Sequence, residues 1–339
     1  MKNKNLKIAV LTLVVIGGGI WGAHKYALHR LEKAFLDYVE TEKDDGTMLS
    51  YDGYSTRMGF FDLILTIQNP SMQADESWIE KANLEGMLTI TISLFSPRQI
   101  VFSSQGKSHI YWKSPHPSEP PFITTDGFEG VTSLNEYGRL AKTEIRFTQG
   151  QLILPSFKAP YLFTEGGIIK FKKNHQKKQF KLDLSSQSIH LNKEIVTPFG
   201  DTIENLDFKA SISDVESHKT FSSFLQNWFD ASGTLEVEKL QFKWGALDLD
   251  SQGTVALDES LQPLIALTAE VKNLNITLQA LVEQKLISQK TIPLIQLLLG
   301  GIGQREENDS KYKISLTLQD GELSLGSIPL ARGLKIQWG

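Results

Sequence analysis

The sequence predicts a mainly β fold of the α+β kind: large twisted antiparallel sheets, a few covering helices and an N-terminal membrane-anchoring helix. Three observations carry this expectation. Long stretches alternate apolar and polar residues with period two, the pattern of strands with one dry and one wet face. Helical spacing is confined to a few short segments, with no βαβ alternation. An uncharged apolar run near the N-terminus follows a basic head, MKNKNLK, with Lys2, Lys4 and Lys7.

The apolar run comes first. Ile8 to Ala23 carries no charge, and Trp21, Tyr26 and the stem of Lys25 suit a membrane interface. At about 1.5 Å per residue that run reaches only ~24 Å, against ~30 Å of hydrocarbon. Adding Leu6 and the segment to Tyr26, with Lys7 and Lys25 snorkelling, closes the gap. Residues 1–26 therefore read as an uncleaved signal anchor, because cleavage at Ala23 would put Trp21 where a small residue is needed. Basic residues flank both sides of the run (Lys2, Lys4 and Lys7 against Lys25, Arg30 and Lys33), and the short head makes a single pass with the N-terminus inside and the bulk outside the simpler topology. A rival reading uses the same residues. Gly17, Gly19 and Gly22 spell G-x-G-x-x-G between an apolar run and a helix, and Glu40 lies near the place of a ribose-binding carboxylate. That would make a flavin- or NAD-dependent oxidoreductase. The basic head and the absence of any later βαβ unit argue against it, so no cofactor is expected.

Beyond the anchor, Tyr26, Leu28, Leu31, Phe35, Leu36 and Val39 give helical spacing, which predicts a helical stalk over 27–45, stopped at Asp44-Asp45-Gly46. A β-rich region, 46–230, follows. Phe61, Leu63, Leu65 and Ile67 alternate before the turn Asn69-Pro70. Runs 84–94, 100–112, 145–154, 161–171 and 180–191 are further strands, with Gly106 interrupting the second. The Pro-rich stretch from Lys113 to Pro121 is a loop or an extended edge, and the basic run from Lys172 to Lys178 is a solvated hairpin tip, with an anionic-lipid contact as the alternative. His218 to Phe229 forms a helix whose apolar face is Phe221, Phe224, Leu225, Trp228 and Phe229. The last region, 231–339, is a β-meander with bends at Gly233, Gly245 and Gly253, and a helix pair over 274–299 broken at Pro293. In KISLTLQDGELSLG the turn Asp320-Gly321 pairs Gln319 with Glu322, Leu318 with Leu323 and Leu316 with Leu325.

Composition excludes several classes of chemistry. There are no cysteines, hence no disulfide, thiolate metal site or cysteine nucleophile. The net charge of −4 gives no electrostatic case for nucleic acid. The seven histidines form no H-x-H, H-x-x-H or H-E-x-x-H spacing. No G-x-S-x-G elbow or phosphate-binding loop occurs. Asp248 and Asp250 alternate on the outward side of a strand, as solvated carboxylates do. No catalytic or metal-ligating residue is assigned, and the chain reads as a non-enzyme.

The stretch ASGTLEVEKLQFKWGALDLDSQGTVALDESLQP, the helix pair and LTLQDGELSLGSIPL resemble the bacterial domain-of-unknown-function family 2125. So do GFFDLILTIQNP, WIEKANLEGMLT and SPRQI. The family pattern has Pro and Arg after Gly-Phe, whereas Phe61-Asp62 stands here. The resemblance implies a secreted or inner-membrane-anchored envelope protein of Gram-negative bacteria with no assigned activity, which with the anchor gives the expectation of a single-pass inner-membrane protein with its bulk in the periplasm. More distantly, the meanders resemble AsmA-type envelope proteins, whose curved sheets are associated with lipid handling. The expected function is to bind or pass a lipid or other apolar molecule along a curved antiparallel sheet. Phe242, Trp244, Leu316, Leu318, Leu323 and Leu325 are the expected lining. A scaffolding role in an envelope complex is the alternative. The expected partners are the inner membrane, an apolar ligand and envelope proteins.

Overall fold

Alternation at every second residue gives each strand a dry face, and the strands lie side by side in one continuous antiparallel sheet that joins these faces into one. The computed structural model describes residues 25–41, 47–74, 79–113, 120–155, 157–213, 221–290, 292–293, 295–297, 311–326 and 328–336. Residues 25–41 are helical (α1). The strands then follow as β1 Thr47–Ser50, β2 Gly53–Met58, β3 Asp62–Gln68, β4 Ser71–Ala74, β5 Ile79–Ser93, β6 Ser96–Trp112 and β7 Phe122–Thr125. Next come β8 Phe128–Leu134, β9 Leu140–Phe147, β10 Gly150–Ile153, β11 Leu162–Thr164, β12 Gly167–Asn174, β13 Gln179–Leu191 and β14 Thr202–Ile212. Helix α2, Phe221–Asp230, leads into β15 Leu235–Trp244, β16 Leu247–Leu257 and β17 Pro263–Lys272. Helix α3, Leu274–Glu283, precedes β18 Lys311–Gln319, β19 Glu322–Leu325 and β20 Ile328–Ala331. Among the described residues no helix is long and apolar enough to cross a membrane. The anchor expected over 1–26 lies outside the described residues except for Lys25 and Tyr26.

The pairing runs β2–β3–β5–β6, then in two lanes, then β13–β14–β15–β16–β17–β18–β19–β20. One lane is β8–β9–β12 and the other β7–β10–β11; both bridge β6 to β13. Beside them, β1 and β4 extend β5 past the end of β3. The lanes arise because successive long strands break at one level. The breaks fall at Asn69-Pro70, Asp126-Gly127, Thr148-Gln149 and Glu165-Gly166. In β5 and β6 the same level is marked by Gly86 opposite Gly106, at φ 147° and 115°. In β14 it is marked by an extra residue near Asn205, at φ 55°. We call this line the crease. A Cβ on Gly106 would stand 1.9 Å from the Glu85 carbonyl oxygen, so only glycine fits.

Polar side chains take up the backbone groups that the crease frees. The Asn69 amide oxygen accepts from the Gly86 N–H at 2.8 Å, and the Ser104 hydroxyl accepts from the Phe128 N–H at 2.8 Å. Thr125 and Thr164 each donate to the carbonyl of the glycine two residues on, both at 2.9 Å. Ser186 also reaches the Gly166 carbonyl at 2.9 Å.

Directly paired residues share a face of the sheet. One cross-strand line therefore reads Leu65, Ile90, Phe102, Gly130, Ile145, Ile169, Leu184, Phe208, Leu240, Ser251, Ala269, Ile314. It crosses from β3 to β18 without a charge, roughly 50 Å at ~4.8 Å per strand. The Phe102 ring lies over Gly130, where a Cβ would meet it at 2.4 Å. The neighbouring line on the other face reads Ile64, Thr91, Val101, Val131, Glu144, Lys170, Asp183, Lys209, Lys239. There Glu144 meets Arg146 at 2.7 Å and Lys142 and Lys170 at 3.7 Å. Asp207 meets Lys239 at 2.7 Å, and Lys181 pairs with Glu238. Asp248 meets Lys272 at 3.3 Å on the charged face, as its outward alternation predicts.

The two later helices cover the dry face of the C-terminal strands, one at each end of the paired β16 and β17. Leu225 and Trp228 of α2 bury Leu257, with Ile212 and Leu235 packed beside them. Trp228 Nε1 also donates to the Ser213 carbonyl at 3.0 Å. At the other end Leu274, Leu278 and Ile295 bury Val271, flanked by Leu247, Leu249 and Tyr312. The break in the second helical segment falls at 284–290, after α3 ends, and Pro293 sits in a short helical turn at 292–293. Proline is tolerated in a first turn, where its missing N–H has no intrahelical partner. The last hairpin has the predicted register, with Asp320 and Gly321 at φ 52° and 72° as its two-residue turn requires. The basic run from Lys172 to Lys178 ends β12 and forms the turn to β13, as expected.

If the crease is sterically fixed, Gly106→Ala should cost at least about 2 kcal/mol in urea unfolding, because left-handed strain adds to a main-chain clash. Gly138→Ala, at φ 73° in open space, should cost only about 1 kcal/mol; equal costs would contradict the steric reading. Burial works to raise the Glu144 carboxyl, but Lys170, Arg146 and Lys142 outweigh it and hold its pKa below the usual 4.5. Its stabilisation is present above that value and is lost as pH falls through the lowered one. Glu144→Gln should therefore lower the melting temperature at neutral pH and leave it unchanged in strong acid.

Candidate functional site

Helix α1 lies across the dry face rather than apart from the sheet. Phe35, Tyr38 and Val39 form an i, i+3, i+4 stripe on it. The Phe35 ring meets Tyr51 at 5.4 Å and Tyr54 at 5.3 Å, and Tyr51 meets Tyr54 edge-on at 5.8 Å. Tyr54 donates its hydroxyl to Glu32 at 2.9 Å. That bond, with some burial and the Glu32 charge, raises the Tyr54 pKa above its ordinary value.

Between helix and sheet is a pocket of about 380 Å³, within the range of small-molecule sites. Its walls come from both sides of the crease: Ile67, Leu88, Ile90 and Phe128 on one, Leu49, Met72, Ala82 and Ile110 on the other. The lining is almost wholly apolar. One exception is Ser108, 6% exposed, whose hydroxyl has no hydrogen-bond partner among the described residues. A buried hydroxyl without a partner carries a desolvation cost of roughly 1–3 kcal/mol, which a ligand oxygen would relieve. From the pocket a second apolar line leads away along the shorter lane: Leu49, Met72, Ala82, Ile110, Ile123, Leu152, Leu162, Leu191. Ile110 and Ile123 on this line are 36% and 40% exposed, so among the described residues no second layer closes it there.

The six residues expected to line a groove fall on the dry face at the far end. Phe242 is paired with Leu249 and Trp244 with Leu247, and both partners pack under α3. Trp244 is tied down as well, donating Nε1 to the Gly200 carbonyl at 2.8 Å and meeting Phe199 at 5.4 Å. Leu316 and Leu318 are paired with Leu267 and Ile265 and are half-buried between the two helix-covered ends. Leu323 and Leu325 stand opposite Leu318 and Leu316 by register. The structure thus sets these six on one face but far along the sheet from the pocket under α1. Two further hollows open on the charged side. One, also about 380 Å³, is lined by Glu129, Lys142, Glu144 and Arg146; the other, about 790 Å³, lies over the crease by Glu165, Lys170, Asp183 and Asp207. Among their groups, Glu144 with Lys142, Lys170 and Arg146, and Asp207 with Lys209, are ion-paired with one another.

The pocket was not read from the sequence. Its signals were present: the stripe on α1, and the repeated Thr-x-Gly triplets at 125–127, 148–150 and 164–166 that mark the crease. Among the described residues no group of three or more histidines, aspartates or glutamates is placed to hold a metal ion.

The span from β14 to β20 carries a family match. Residues 200–333 match the family DUF2125, described as an uncharacterized protein conserved in bacteria. The resemblance expected from the sequence is borne out over that span, which holds α2, α3 and the six predicted groove residues. The family description carries no enzymatic activity. No curated protein matches the chain. The pocket under α1 lies in residues 35–128, outside the matched span.

Phe35→Ala removes two aromatic contacts, each worth about 0.5–1.5 kcal/mol. Hydrogen exchange should quicken across 25–41 by about tenfold or more and stay unchanged in β13. An unchanged rate in α1 would mean that the helix is held by other contacts.

Proposed function

We propose that this protein is an N-terminally anchored envelope protein that holds or passes a lipid-like molecule along the dry face of its sheet. In this reading residues 1–26 sit in the inner membrane and the sheet stands in the periplasm. The observation that carries it is the uncharged register line from β3 to β18, set back to back with a line of ion-paired charges. A sheet that only needed a core would cover its dry face with a second layer. Here, among the described residues, α2 and α3 cover it at opposite ends of β16 and β17 and α1 covers it over the pocket, and apolar side chains elsewhere stay partly open. The pocket under α1 is the binding place: acyl chain against Ile67, Leu88 and Ile110, and an ester or carboxyl oxygen at the Ser108 hydroxyl.

Photocrosslinking tests this with the full-length protein in vesicles containing a phospholipid that carries a photoreactive acyl chain. Labelling should fall on α1 and on β4 to β6. Ile110→Glu with Ile123→Glu, both at partly exposed positions, should reduce it tenfold or more, since each charge faces an apolar guest. Ser108→Ala should reduce it about fivefold, the worth of one hydrogen bond. Labelling confined to residues 1–26, or equal labelling of all variants, would overturn the proposal.

A further inference from the structure

Four consecutive turns line one long edge of the sheet: 59–61, 94–95, 135–139 and 175–178. They lie side by side, because Leu94 N–H donates to the Phe61 carbonyl at 2.8 Å and His175 Nε2 contacts the Leu140 carbonyl at 2.8 Å. Turn tips on a sheet edge are ordinarily polar. The first two here are not. Phe60 is 83% exposed and Phe95 75%, and both meet the Phe61 ring, Phe60 edge-on and Phe95 tilted, at 4.4 and 4.7 Å between ring centroids. The third tip carries Tyr137, 78% exposed, beside Arg139, and the fourth carries Lys177 next to Lys173. Arg98 stands at the start of β6 on the same edge. The carboxylates at these four turns are Asp62 and Glu136, so cations prevail on this part of the edge, whereas its continuation past β13 carries Asp258, Glu259 and Asp320.

Three rings held in contact in water cost free energy that a soluble surface avoids. A run of exposed aromatics followed by cations matches one environment: aromatic rings enter the headgroup–acyl boundary while the cations meet anionic headgroups. We infer that this edge docks on an anionic phospholipid bilayer, with Phe60, Phe61 and Phe95 inserted and Arg139 and Lys177 at the headgroups. The rings supply depth and the charges supply selectivity for anionic lipid. The opposite edge, with the 192–201 turn, then faces away from the bilayer. The surface is separate from the pocket under α1, and its test is independent of the bound molecule.

The chain has no cysteine, so single-cysteine labelling is clean. Ser96→Cys places an environment-sensitive fluorophore beside Phe95, and Val196→Cys places one on the opposite edge, where Val196 is 81% exposed. Full-length protein is reconstituted in vesicles of phosphatidylcholine alone, or with about one third phosphatidylglycerol, and labelled from outside. With the anionic lipid, the label at 96 should shift to the blue and lose about fivefold or more of its quenching by aqueous iodide. The label at 196 should not change. Arg139→Glu with Lys177→Glu, and separately Phe60→Ser with Phe95→Ser, should abolish the protection; all four side chains are exposed, and circular dichroism checks the fold. Equal iodide access at 96 in both vesicles would overturn the inference. So would protection that follows protein concentration in phosphatidylcholine alone, which would place a second copy on this edge.

Discussion

Unbroken register is the constraint on which the rest of this structure depends. In an antiparallel sheet a slip of one residue sends every side chain of a strand to the other face. A dozen strands in succession here keep Leu65, Ile90, Phe102 and their successors on one side, so each pairing inherits the phase of the one before. Where a strand carries an extra residue, as between Glu204 and Asp207 or between Val237 and Leu240, the shift is absorbed locally and the phase recovers. The dry face is therefore a property of the whole sheet. Its charges have one place to go, the other face, where Glu144, Asp207 and Asp248 find lysines and arginines on neighbouring strands.

The crease follows from the same constraint. Strands as long as β5, β6 and β13 twist, and a wide sheet of them must curl or split. Breaks at one level let the sheet bend while the pairing on both sides survives, since β6 is paired with β8 before the crease and with β7 after it. Glycine and left-handed asparagine make the bend, and threonine and serine hydroxyls take the hydrogen bonds that it releases. Bending brings Ile67 and Leu88 towards Met72 and Ile110, and α1 lies across them. The pocket thus exists because the strands are interrupted together.

Much of this was legible in the sequence, and the division is physical. Period-two alternation gives strands directly, and Asp320-Gly321 gives an entire register, because turn chemistry and apolar pattern are both local. The face of α2 is local too, with Phe224, Leu225 and Trp228 on one side of a single helix. Gly106 was legible as an irregularity but not as half of a facing pair, since Gly86 lies twenty residues away and the meaning of each depends on the other. The pocket needs residues from α1, β1 and β6 together, so no window of sequence contains it. Pro293 misled because proline ends a helix only from its interior, and the start of a turn tolerates it.

What distinguishes this sheet from an ordinary core is where the helices stop. Burial of Leu257 by α2 and of Val271 by α3 removes from water the dry face at the two opposite ends of the paired strands β16 and β17. Between them Leu316 and Leu318, and on the shorter lane Ile110 and Ile123, remain partly exposed. Apolar area left in water forgoes about 25 cal/mol per Å². A fold under selection for stability alone would extend a helix or add a layer over a surface that large. The register line from β3 to β18 carries no charge, and among the described residues its middle is only half-buried, which is the apolar area that the proposed binding role would account for.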